Sequence, residues 1–227
     1  MKGEPGGQRG NEVEDTMPVI VAFGDSNTWG YDPATGARLP RPLRWPSVMQ
    51  RELADDFEVI AEGLNGRTTV HDDPIEPHRS GAEALPGCLM SHAPLDLVIL
   101  ALGCNDLKKR FSVSPGDIAE GAARLIAITR AQAVGPDGGP TKILLIAPPP
   151  LAKLSAFAEM FEGGAEKSVA LGARYREIAK RDKVAFLDAG AVIRCSDLDG
   201  IHFEADQHEL LGRTAAAAVR KALAESA

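Results

Sequence analysis

The sequence predicts an α/β fold: a flavodoxin-like, three-layer α/β/α sandwich on a five-stranded parallel sheet. Two observations carry this. Five short, largely aliphatic runs, at residues 19–23, 57–61, 95–102, 142–147 and 184–187, have the length of strands buried on both faces. Segments with apolar residues at helical spacing stand between them, and strictly alternating strands and helices imply βαβ units with helices on both faces of the sheet. In such doubly wound sheets, function gathers at the C-terminal ends of the strands.

The first strand, 19–23, stops abruptly at Gly24-Asp25-Ser26. Residues 31–43, rich in Pro, Gly and Arg, read as a loop over that strand end. A helix is expected at 44–56, where Trp45, Val48, Met49 and Leu53 share a face. After the second strand comes a turn at 63–70, then a Pro- and His-containing loop to about Ser80. A short helix near 82–91 is weakened by Pro86, which lacks the backbone donor. The third strand ends at Gly103-Cys104-Asn105-Asp106, and a helix over 115–133 places Ile118, Ala122, Leu125, Ile126 and Thr129 on one face. The fourth strand closes at Pro148-Pro149-Pro150, and a loop carrying Phe157 and Phe161 leads to a helix at 165–180. The last helix spans 204–225, with Leu211, Ala215, Ala218 and Leu223 inward. No repeat or linker interrupts this pattern, so residues 18–227 read as a single domain. Residues 1–17, rich in Gly and charge, read as a flexible leader, with Met17 as an alternative start.

Composition narrows the function. The chain has 227 residues, enough for one well-buried core, and a formal net charge of −7, which favours neither nucleic acid nor an anionic membrane. No run approaches the roughly 20 apolar residues of a membrane span. Three widely spaced cysteines, Cys88, Cys104 and Cys195, give neither a disulfide framework nor a C-x-x-C zinc pair, so a cytoplasmic protein with reduced thiols is expected. His71, His78 and His92 lack metal-ligand spacing among themselves, and no metal or cofactor is expected. Neither G-x-G-x-x-G nor G-x-x-x-x-G-K-[ST] occurs, which removes the main nucleotide-binding readings of this fold.

Small and polar residues then cluster where strands end. Ser26 at a strand-to-helix turn is suited both to a nucleophile, with free N–H groups beside it, and to a plain helix cap. The spacing Asp199-x-x-His202 sets a carboxylate and an imidazole across one tight turn, as a serine hydrolase requires; a locally capped loop histidine is the alternative. Asp197 is a second candidate partner for His202. Cys104 follows an aliphatic strand and reads as a small buried hydrophobe rather than a thiol nucleophile.

Taken in order, Gly24-Asp25-Ser26, Gly66, Gly103-x-Asn105-Asp106 and Asp199-x-x-His202 resemble the blocks of the SGNH (GDSL-type) hydrolase family, and the likeness covers most of the chain. The segments 62–69, 94–99, 161–164 and 199–203 look closest to its small bacterial arylesterase/acyltransferase (perhydrolase) branch. The resemblance implies Ser26 as nucleophile, His202 as general base and then acid, and Asp199 as the group orienting His202. It implies an oxyanion hole of the Ser26 N–H, the Gly66 N–H and the Asn105 amide, with Asp25 and Asp106 bracing their loops. Donors of this kind stabilise developing negative charge without ionising. The expected activity is hydrolysis of short-chain carboxylic esters through an acyl-enzyme, with transfer to alcohols or peroxide as a side reaction. Carbohydrate acetylesterase or acyl thioesterase activity on the same triad is the alternative, and a non-catalytic binding module is disfavoured by the complete set. Trp29, Tyr31, Phe157, Phe161 and the Pro148–Pro150 turn are candidates to wall the substrate channel. A homo-oligomer is also implied, with loops 31–43 and 148–161 as its contacts. Activity is expected to rise with pH as His202 loses its proton.

Overall fold

A computed structural model describes residues 17–225 of the chain. The expected leader, apart from Met17, lies outside the described residues. Five strands, β1 (Val19–Gly24), β2 (Glu58–Gly63), β3 (Leu97–Ala101), β4 (Lys142–Ala147) and β5 (Ala185–Asp188), form one all-parallel sheet in the order β2-β1-β3-β4-β5. That is the expected doubly wound order.

Alternation along each strand sends successive side chains to opposite faces. Val21 and Phe23 of β1, Val98 and Leu100 of β3 and Ile143 and Leu145 of β4 belong to one core, under α3 (Gly81–Ser91), α4 (Pro115–Gln132) and α6 (Leu171–Arg181). Ile20, Ala22, Leu97, Ile99, Leu144 and Ile146 belong to the other, under α2 (Trp45–Leu53) and α7 (Ala205–Ala224). Local chemistry starts the helices: Ser114 and Asp117 exchange capping bonds around Pro115 of α4, and the Ser80 hydroxyl accepts from Glu83 N to begin α3. Helix α3 continues through Pro86.

Two expectations needed revision. The helix expected over 165–180 is two, α5 (Gly164–Ser168) and α6. The Ser168 hydroxyl donates to Ala165 O at 2.6 Å and accepts from Leu151 N at 2.9 Å, a local bonding pattern that competes with the helical ladder. The helix expected over 44–56 finishes its α-helical part at Leu53, and Ala54–Asp56 tightens into a 3₁₀ turn.

The register sets up the site. Gly24 at the end of β1 pairs with Gly63 of β2 and Ala101 of β3. The segments following the three central and edge strands therefore leave the sheet at one level and on one side.

Candidate active site

Helix α1 (Ser26–Trp29) begins immediately after β1. Asp25 is its cap, accepting from Asn27 N at 2.9 Å, so the capping role proposed for Ser26 is filled by its neighbour. Ser26 becomes the first helical residue and its hydroxyl is left for another partner. That partner is His202: Nε2 lies 2.9 Å from Ser26 Oγ. Across the ring, Nδ1 lies 2.6 Å from Asp199 Oδ2. The other Asp199 oxygen accepts from the backbone N–H groups of Ile201 and His202 at 2.8 and 2.9 Å. Burial pushes this carboxyl up, but the His202 side-chain bond and the two backbone bonds outweigh it and hold Asp199 below the usual carboxylate range. Asp197 is exposed and takes no part.

The loop bearing Asp199 and His202 has no regular secondary structure and is held by tethers. Asn27 donates to Ile201 O at 3.4 Å and accepts from Phe203 N at 3.2 Å, joining α1 to a segment more than 170 residues away. Ser196 N donates to His202 O at 2.8 Å, and Ala152 N donates to Gly200 O at 2.9 Å. Gly200 has φ +86, and a Cβ there would meet the Lys153–Leu154 backbone at 2.8 Å, so the turn closes only on glycine.

The candidate oxyanion donors come from the other two strand ends. Gly66 has φ +79, a left-handed conformation in the turn after β2. Asn105 is 6% exposed in the turn after β3; its amide donates one hydrogen to Arg67 O at 3.1 Å, leaving the other for the cavity. Asp106 braces that turn, accepting from Thr69 N at 3.0 Å and Thr69 Oγ1 at 2.5 Å. Burial pushes the Asp106 carboxyl up despite these bonds, and it pushes Asp25 up to about 6. Cys104 is 4% exposed, with its thiol raised by the same burial, and behaves as a core residue.

Ser26, Gly66, Asn105 and His202 line one cavity of about 240 Å³. Tyr31, Phe157 and Phe161 also line it; Tyr31 stacks on the His202 ring at 4.0 Å and Phe157 meets it edge-on at 6.0 Å. Phe161 contributes from the core, being 2% exposed. Trp29 does not line the cavity: its ring lies against the Arg38 guanidinium, 4.8 Å away, and its carbonyl accepts from Arg38 Nε. Pro148 and Pro149 wall a separate small cavity behind Asp25.

Sequence reasoning missed a polar side of the same cavity, made by Asn65, Glu76 and Lys108. Lys108 is 3% exposed, with Nζ 2.6 Å from Glu76 Oε2 and 3.4 Å from Asp73 Oδ2. Asp73 also accepts from Arg110 and from the backbone of Ile75 and Glu76, pinning the loop 71–80 beside the cavity. Only the run Lys108-Lys109-Arg110 signalled this, and a short basic run ordinarily reads as solvated surface.

The GDSL-like lipase/acylhydrolase family model matches residues 22–210, which include every member of this relay. The chain belongs to that family. It is an SGNH hydrolase and a carboxylic ester hydrolase. The aryl esterase of M. smegmatis is similar, with 43% identity and a TM-score of 0.86 over 90% of this chain and 99% of that one. A carbohydrate acetylesterase family member from Sinorhizobium meliloti shares 40% identity with a TM-score of 0.87, covering 92% of this chain and 100% of that chain. Est24, a carbohydrate acetylesterase from the same organism, has 40% identity and a TM-score of 0.86 over 90% and 99% of the two chains. No curated protein matches the chain. Among the described residues of this SGNH hydrolase, no helix is long and apolar enough to cross a membrane.

Proposed function

We propose that the enzyme hydrolyses short-chain aryl or alkyl carboxylic esters through an acyl-enzyme on Ser26. The observation that carries this is the unbroken relay from Ser26 Oγ through His202 to Asp199, with steps of 2.9 and 2.6 Å, at the wall of a small cavity. Ser26 Oγ attacks the ester carbonyl as its proton passes to His202 Nε2; Asp199 fixes the tautomer and stabilises the imidazolium. The Ser26 N–H, the Gly66 N–H and the free hydrogen of the Asn105 amide receive the oxyanion. His202 returns the proton to the departing alcohol, and water, activated by the same imidazole, releases the acid. A cavity of about 240 Å³ is smaller than typical drug-sized pockets, which supports short acyl groups. Tyr31 and Phe157 cover the imidazole, which favours acceptors that compete with bulk water, so transfer to alcohols or peroxide accompanies hydrolysis.

The polar wall of Asn65, Glu76 and Lys108 favours a second reading, acetylated carbohydrates, whose hydroxyls those groups can bind. Association of copies through loops 31–43 and 148–161 belongs to the same reading and is tested by sedimentation. A cytoplasmic site of action fits the three free thiols, Cys88, Cys104 and Cys195.

A fluorophosphonate probe should label the wild type at Ser26 and leave Ser26→Ala unlabelled. Esterase activity undiminished in Ser26→Ala sinks the mechanism. Comparing p-nitrophenyl esters of rising chain length with acetylated sugars and acyl-CoA, with and without added alcohol, separates the substrate readings.

A further inference from the structure

We propose that Glu62, Cys88 and His92 form a binding site for a zinc-type divalent cation, separate from the esterase centre. Cys88 lies in the last turn of α3 and His92, four residues on, is the residue that caps the helix, so the chain brings the two side chains about one turn apart. Glu62 comes from β2, at the edge of the sheet. One donor atom from each residue lies within 4.8 Å of the other two, and His92 Nε2 is 2.9 Å from Glu62 Oε1. Bonds of about 2.0 Å to nitrogen or oxygen and about 2.3 Å to sulfur draw tetrahedral ligands closer than that limit, so modest side-chain rotation closes the site. Thiolate, imidazole and carboxylate together suit a borderline-soft ion better than magnesium or calcium.

The charges also balance. A thiolate and a carboxylate neutralise a dication, and the His92 and Glu62 side chains, 26% and 35% exposed, leave a path in and a position for water. Coordination requires the Cys88 thiolate, so the cation displaces the thiol proton to solvent on binding. The nearby Arg67 charge favours the thiolate and opposes the cation. Arg67 donates to Glu62 O and to Gly24 O, so an ion here would clamp the end of α3 to the strand that leads into the Gly66 turn. The mixed spacing Cys88-x-x-x-His92 escapes a search for paired cysteines or paired histidines, and Glu62 joins it only in three dimensions.

The test uses the full chain, freed of metal by a chelator and titrated with Co²⁺. A sulfur-to-cobalt charge-transfer band should appear, be displaced by Zn²⁺, and vanish in Cys88→Ser. His92→Asn should weaken Zn²⁺ binding at least about 10-fold, and Zn²⁺ should raise the Tm of the wild type but of neither variant. Esterase turnover in both variants should stay near wild type, which also shows that they fold. No charge-transfer band in the wild type, or a band that persists in Cys88→Ser, overturns the proposal. None of these binding readouts depends on the esterase mechanism.

Discussion

In the proposed mechanism Ser26, His202 and Asp199 act as a unit, so truncating any one should remove most of the rate. Ser26→Ala should lower kcat by about 10⁴-fold or more. Asp199→Asn, which keeps the shape but disturbs the imidazole tautomer, should cost on the order of 10⁴-fold. Asn105→Ala should cost about 10²- to 10³-fold in kcat with a smaller change in KM, as loss of one oxyanion donor does. Steady-state kinetics on a p-nitrophenyl ester check all three. These residues were legible because their types and order match a family pattern. Asn27 was not: its bonds to Ile201 and Phe203 exist only after folding.

At the scale of elements, the site depends on tethers between segments remote in sequence. Asn27→Ala removes both side-chain bonds to the loop 199–203 and should lower kcat several-fold while costing about 1–3 kcal/mol in stability, measured by urea unfolding. In the sheet, Ile99 of β3 is fully buried in the core beneath α2 and α7. Ile99→Ala should cost about 2–5 kcal/mol and leave the relay chemistry unchanged in whatever protein stays folded. Strand positions were read well because β1, β3 and β4 are nearly pure aliphatic runs. The break between α5 and α6 was not, because Ser168 terminates the helix through a bond to Leu151 that periodicity does not report.

Across the whole molecule, two buried groups make stability depend on pH in opposite directions. Burial lowers His208 from 6.5 to about 4, and its Nδ1 accepts from Trp45 N at the start of α2. The folded state therefore keeps His208 neutral while the unfolded chain takes up a proton. That contribution is fully present above pH 6.5 and is lost as pH falls through 4, by about 3 kcal/mol. Burial raises Asp25 from 3.8 to about 6, so the folded state holds its proton longer than the unfolded chain. That contribution is present below pH 3.8 and is lost as pH rises through 6, again by about 3 kcal/mol. Denaturant unfolding of Asp25→Asn should show a gain over wild type above pH 6 that shrinks toward pH 4. A gain independent of pH would show that the Asp25 carboxyl is not raised.

The sequence by itself determined the strand–helix alternation, the five-stranded parallel sheet and the family pattern, because these follow from local periodicity and from residue types in a set order. It also marked Ser26, Gly66, Asn105, Asp199 and His202. Only the tertiary structure decided how those positions are used. Pairing of Gly24 with Gly63 and Ala101 levels the three strand ends. Asp25 takes the cap and frees the Ser26 hydroxyl. Folding sets Tyr31 over His202 and sends Trp29 to Arg38 instead. It also brings Lys108 and Glu76 into the cavity wall and Glu62 beside Cys88 and His92. Each of these contacts joins residues whose separation along the chain carries no local signal, so only the closing of the fold brings them within reach.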